Sequence, residues 1–329
     1  MSYMTRRDVL TGGIFLATMA MAPKAGLSQG AYPARPVRFI VGFPAGGTGD
    51  AVARLLGGEL AKNLGQPLVV ENKSGAGGNI ATQAVLAAPA DGHTIYLAQV
   101  NLPINPSVMD VGYDPHKDLT MISQIINIPV VMLTNAKSGF KTVQDVVAAG
   151  KTKNGQLTFG GVLGTAAHLG PELFARDQGF KLKLIPYRGG AQAVQALLSG
   201  EVEVVFDLMS GSLKSLIEAG SLNGIALMQA EPVKGLENIP AAGTAGVTPA
   251  GFFGAWMGVC VKSGTPAPII AKLYSAIVAE MAKPELRQRF EQIGSEVVTS
   301  ASPAEFQGFY LAELKRFGDL VKAIDYKPQ

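Results

Sequence analysis

The residues best placed to do chemistry are four glycine-bearing turns, each at the junction of an apolar run and a helical pattern. The first is Phe43-Pro44-Ala45-Gly46-Gly47-Thr48-Gly49-Asp50, directly after Arg38–Gly42. Such a turn lets backbone N–H groups converge on a small anion at the positive end of a helix. It has no P-loop Lys-Ser/Thr and no dinucleotide glycine pattern, so the expected chemistry is anion capture without phosphate transfer. Gly46 and Gly47 suit positive φ or close ligand approach, and Thr48 is the expected N-cap. Asp50 falls in the first helical turn, where it either holds the loop or pairs with a ligand donor.

Ser74-Gly75-Ala76-Gly77-Gly78-Asn79-Ile80 is the second turn. Its third fingerprint position is Ile80, which excludes G-x-G-x-x-G, and it reads either as a second backbone-lined wall or as a plain turn. The third, Gly160-Gly161-Val162-Leu163-Gly164-Thr165, precedes a helix in which His168 is expected to cap or pack. The fourth, Pro186-Tyr187-Arg188-Gly189-Gly190, offers Arg188 to a carboxylate or to solvent. Asp207, at the end of an apolar run, either faces a cleft or caps the helix near Ser210–Ala219.

Enzyme patterns are lacking. The 3 histidines (His93, His116, His168) form no metal-spaced pair, and there is no G-x-S-x-G elbow or defensible carboxylate pair. No catalytic residue, metal or cofactor is expected.

The elements that must position these turns alternate in type. Strands are expected at Val37–Gly42, Pro67–Glu71, Thr94–Ala98, Met121–Ile126, Val130–Thr134, Leu157–Gly160, Lys183–Pro186, Val202–Phe206, Gly224–Met228, Phe252–Val261 and Glu296–Thr299. Helices are expected at Thr48–Leu64, Val143–Lys151, Ala166–Asp177, Ala191–Leu198, Leu213–Ala219, Pro266–Met281 and Pro303–Val321. In the first of these, Val52, Leu55, Leu56, Leu60 and Leu64 keep a 3.6-residue period. Alternation of this kind implies an α/β fold with largely parallel sheets. Crossings near Asn127–Met132 and Phe252–Val261 would divide the chain into one lobe of residues 31–132 and 251–329 and another of 133–250. Opposed lobes with paired crossings suit closure on a ligand.

With 329 residues, 47% hydrophobic and 16% charged, the chain can bury a large core. Thr5-Arg6-Arg7-Asp8-Val9-Leu10, followed by an apolar run to Ala22, looks like a twin-arginine export signal over residues 1–30. Its removal takes out Arg6, Arg7, Lys24 and Asp8 and lowers the net charge from +3 to about +1. That balance, without basic runs, gives no nucleic-acid footprint. The single Cys260 lies in an apolar strand and is expected to be a buried, inert thiol.

Taken in order, the turns and their flanks resemble the extracytoplasmic solute receptors of tripartite tricarboxylate transporters, the TctC or Bug family. The resemblance spans about Tyr32 to Pro328. Its markers include Tyr32-Pro33-Ala34-Arg35-Pro36, Phe43–Asp50, Gly65–Lys73, Gly75–Asn79, Ala90–Thr94, Ile104–Ser107, Tyr113–Pro115, Pro186–Gly189 and Gly264–Pro266. It implies a type II-like, two-lobed periplasmic binding protein with two strand crossings. Such a protein takes a small organic carboxylate, serves membrane transporter subunits and acts as a monomer. Carried over by position, ligand contacts fall at Phe43, Ala45, Gly46, Gly47, Gly77, Gly78, Gly161, Thr165, Arg188, Gly189 and Asp207. Gly42 stands where relatives often have Pro, and the third loop is one residue shorter than usual. There Gly161 and Leu163 replace the Ser and Asn often seen, which implies a more apolar distal pocket. Leu163 would then touch an aromatic or aliphatic carboxylate. The rival readings are an exported enzyme acting on a small acid, and a binding module for a sensor kinase.

Overall fold

The computed structural model describes residues 32–162, 165–187, 189–292 and 295–323. The expected signal at 1–30, Leu163 and Arg188 lie outside them. In the first part of the chain β1 (Val37–Val41), α1 (Thr48–Leu64), β2 (Leu68–Asn72), α2 (Asn79–Leu86), β3 (Thr94–Gln99) and α3 (Asn101–Val108) lead into the long strand β4 (Leu119–Asn135). Then come α4 (Val143–Thr152), β5 (Thr158–Gly161), α5 (Ala166–Asp177), β6 (Lys183–Pro186), α6 (Gly190–Ser199), β7 (Val204–Leu208), α7 (Gly211–Glu218) and β8 (Leu222–Leu227). The chain returns through β9 (Gly254–Lys262), α8 (Ala267–Met281), α9 (Pro284–Gln292), β10 (Glu296–Val297) and α10 (Pro303–Ala323).

Strand β4 joins the two halves. From Leu119 to Pro129 it pairs with β9, and from Val130 onward it pairs with β7 and β8. Two separate strands, Met121–Ile126 and Val130–Thr134, were expected over this stretch. Instead Pro129 sits where the strand changes partners, and its carbonyl accepts from Met209 N at 2.8 Å. A residue without an N–H fits that position at little cost. The expectation of largely parallel sheets is also corrected. Strands β2, β1 and β3 are parallel, as are β6, β5 and β7, but every pairing made by β4 or β9 is antiparallel. One strand leaves the first lobe and the other returns to it, so they run in opposite directions.

These directions place the turns. Because β3 is antiparallel to β9 and β9 to β4, strand β4 runs with β3. The second lobe therefore lies beyond the carboxyl ends of β1, β2 and β3. Strand β7 opposes β4, with Val130 facing Leu208 and Thr134 facing Val204. Its carboxyl end, with those of β5 and β6, points back toward the first lobe. The two loop-bearing edges face each other, the usual location of ligands in open α/β sheets.

Helices cover both faces of each half. Val52, Ala53, Leu56, Leu60 and Leu64 of α1 pack with α8 and α9 on one face of the first sheet, while α2 and α10 cover the other. Each buried leucine there stabilises the fold by about 1.5–3 kcal/mol. In the second lobe α4 and α5 cover one face, and α6 and α7 the other.

Candidate functional site

In the first turn Gly46 has φ +81°, a left-handed conformation that favours glycine. Gly47, extended, is the N-cap of α1, so Thr48 opens the helix and does not cap it, contrary to expectation. The turn is held from below by Asp50. Its Oδ2 accepts from Gly46 N and from Arg54 Nε, each at 3.0 Å, and Arg54 Nη2 lies 3.0 Å from Oδ1. The Arg54 guanidinium first, then the Gly46 N–H, hold this carboxyl below the usual aspartate range. Asp50 thus holds the loop through Oδ2, while buried Oδ1 has the Arg54 guanidinium at ion-pair distance and no hydrogen bond. Asn72 Nδ2 fixes the Phe43 carbonyl at 3.0 Å. Ala45, Gly46 and Gly47 remain exposed, and the Thr48 and Gly49 N–H groups donate to no described residue.

The second turn lies against the first: a Cβ on Gly42 would come within 3.1 Å of Gly78 Cα. Gly75, Ala76, Gly77 and Gly78 all have positive φ. Four such residues in succession are held from α3. Asn101 Nδ2 and Asn105 Nδ2 both donate to the Gly77 carbonyl, at 2.7 and 3.0 Å. Tyr96 and Thr82 hydroxyls approach the Gly78 carbonyl at 3.4 Å. Gln99, at the carboxyl end of β3, fills the space beside Gly49, where a Cβ would meet its Nε2 at 2.9 Å. The roles of Asn72, Gln99, Asn101 and Asn105 were not anticipated. The signal available for the last pair was two asparagines four apart directly after a strand.

In the second lobe Thr165 is the N-cap of α5, and its hydroxyl donates back to the Val162 carbonyl at 2.7 Å. Gly161 O accepts from Tyr187 N at 2.8 Å and so ties the third turn to the fourth. A Cβ on Gly161 would meet Ala167 O at 2.6 Å, so its missing side chain makes room for α5. Gly189 is the N-cap of α6. The N–H groups of Ala166, Ala167, Gly190 and Ala191 donate to no described residue. Asp207 does not cap α7; Ser210 does, accepting from Leu213 N at 3.3 Å. The Asp207 carboxylate instead sits against Gly190 at the start of α6, where a Cβ would meet Oδ2 at 2.5 Å. Burial raises its pKa. His168 is buried and stacks on Phe159 with ring centres 6.4 Å apart; burial lowers its pKa to about 4, so it is neutral at pH 7.

Each lobe thus presents open helix N-termini to the other: α1 from one side, α5 and α6 from the other. Oriented N–H donors of this kind take carboxylates or similar small anions. Two cavities of about 750 and 220 Å³ lie elsewhere, one among Lys151, Glu172 and Arg176, the other beside Ile128, Phe253 and Trp256. Neither is lined by the glycine turns. No group of three metal-ligating side chains occurs among the described residues.

Comparison with known proteins agrees with this geometry. A family profile described as tripartite tricarboxylate transporter family receptor matches residues 52–326. The chain is 33% identical over 314 residues to protein BugT of Bordetella pertussis, covering 94% of this chain and 95% of BugT. Among solved structures, R. palustris Rpa4515 with adipate is similar at 30% identity and a TM-score of 0.79, covering 91% of this chain and 100% of that one. MatC from Rhodopseudomonas palustris with bound malate is similar at 28% identity and a TM-score of 0.75, over 88% and 100% of the two chains. The two-lobed α/β chain with glycine turns on its facing edges belongs to the tripartite tricarboxylate transporter receptor family.

Proposed function

We propose that this protein is a periplasmic receptor that closes its lobes on a small organic carboxylate and delivers it to the membrane subunits of a tripartite transporter. The observation that carries this reading is the facing of open helix N-termini across the gap between lobes. Structures of similar proteins with adipate and with bound malate support a carboxylate as the ligand class. The energetics are adequate. A micromolar complex needs about 8 kcal/mol, charge-assisted hydrogen bonds contribute roughly 1.5–3 kcal/mol each, and a helix end adds about 0.3–2 kcal/mol. A few converging N–H donors suffice after the cost of immobilising the ligand.

Within this reading Phe43, Ala45, Gly46, Gly47, Gly77 and Gly78 form the wall from one lobe. Gly161, Leu163, Thr165, Arg188, Gly189 and Asp207 form the wall from the other. Residues 31–132 and 251–329 constitute the first lobe and 133–250 the second, a division supported by the change of partners along β4 at Pro129–Val130. Residues 1–30 act as a twin-arginine signal removed on export. The receptor works as a monomer without a cofactor and turns nothing over. Leu163 favours an aliphatic or aromatic acid.

A thermal-shift screen of mono-, di- and aromatic carboxylates tests the reading. A ligand at a hundred times its Kd is expected to stabilise the fold by about 2.7 kcal/mol. Gly47 has φ −81°, which valine tolerates, so Gly47→Val is expected to keep the fold and abolish binding in calorimetry. No response to any acid, or wild-type affinity in Gly47→Val, overturns the assignment.

A further inference from the structure

Helix α3 has two engaged faces. One carries Asn101 and Asn105, whose amides converge on the Gly77 carbonyl. The neighbouring face carries Ile104 and Val108, which are buried with Phe317, Leu320 and Val321 of α10 and with Leu169 of α5. Helix α5 belongs to the other half of the molecule and begins at Thr165, in the third turn. Ile104 and Leu169 are each 0% exposed, so this apolar cluster spans both lobes and is complete only when they are together. Beyond it, Arg176 of α5 donates to the carbonyl of Ala323 at the end of α10 at 2.8 Å.

The strained run Gly75–Gly78 needs outside support, because Ala76 at φ +47° adopts a backbone that side chains disfavour. The support comes chiefly from α3. We propose that α3 couples lobe closure to the ligand turn: seating Leu169 against Ile104 and Phe317 fixes α3, and α3, through Asn101 and Asn105, sets the backbone of Gly77–Gly78. Asn101 and Asn105 are positioning residues. The lobe that closes over the ligand thereby completes a wall that it does not itself contain. This rests on reading Gly77–Gly78 as part of the ligand site, but its test needs no ligand.

Hydrogen exchange and small-angle X-ray scattering on the ligand-free protein provide that test. In Leu169→Ala the radius of gyration is expected to rise, and exchange over residues 76–80 to accelerate by about tenfold or more. Asn101→Ala/Asn105→Ala is expected to give the same local acceleration with an unchanged radius of gyration, and adding Leu169→Ala to it to accelerate this segment no further. A merely structural defect would instead spread to the β3 peptide Thr94–Gln99. Phe317→Ala probes the same contact from the first lobe should Leu169→Ala fold poorly. The proposal is overturned if the contact variants leave the radius of gyration unchanged. It is equally overturned if they open the lobes without accelerating residues 76–80, or if acceleration is uniform across the first lobe. Absence of carboxylate binding would overturn the receptor reading and leave these results standing.

Discussion

On the proposed reading Asp50 places a carboxylate beside a carboxylate site, and its engagement with Arg54 and Gly46 would keep it from repelling the ligand. The Arg54 guanidinium compensates its charge and the Gly46 N–H orients it, so its contribution to the site is geometry. Because its folded pKa is lowered, its support is complete above the ordinary aspartate range and is lost as pH falls through the folded value. His168 has a separate effect at milder pH. Its pKa falls to about 4 on burial, so the unfolded chain binds a proton more readily between about 6.5 and 4. Stability is therefore expected to drop across that window as pH is lowered, by on the order of 1–3 kcal/mol, and His168→Phe to remove that part of the slope. Urea titrations at several pH values measure it; an identical slope in the variant would contradict the burial argument. His168 was expected to cap or pack, and the structure packs it against Phe159. A loop-holding role for Asp50 was legible only as one of two options, and Arg54 as its partner was not foreseen, because a sequence does not show which oxygens are already taken.

At the scale of elements, the expected bounds of α1 and α5 coincide with the observed ones, and for α1 the apolar 3.6-residue period was the signal. Helix α3 was not among the expected helices, and its Pro103 and Pro106 obscure a helical pattern. Yet Pro103 sits in the first turn, where no intrahelical N–H bond is lost. With α3 unseen, the support of the second turn could not be anticipated. Gly161 shows a different limit. Its departure from relatives was read as a lost polar contact to ligand, whereas its Cβ direction is filled by the start of α5. Gly161→Ser is accordingly expected to push α5 away from β5 and to destabilise the fold by about 1–3 kcal/mol, measured by thermal or urea unfolding. A neutral outcome would show that the third turn yields without strain.

Across the whole molecule, β4 contributes one end to each half, and β9 accompanies it as far as Pro129–Gly254. Lobe motion must therefore bend or twist two paired strands. Shared pairing also predicts joint unfolding. Fluorescence of the single tryptophan, Trp256 in the first lobe, and far-UV circular dichroism are expected to report one transition with a common midpoint. Separated midpoints would show that the lobes melt independently. Alternation of strands and helices made the fold class readable, but the antiparallel centre was hidden because partner choice depends on a return crossing over a hundred residues later. Finally, Cys260, the only cysteine, lies at 0% exposure in β9, and burial raises its thiol pKa. To labelling chemistry the folded protein is silent. One cysteine introduced at an exposed position such as Ile80, beside the second turn, would carry a dye at a single known place without the native cysteine having to be removed. The chain is thus ready-made as a fluorescent reporter for whichever acid it captures.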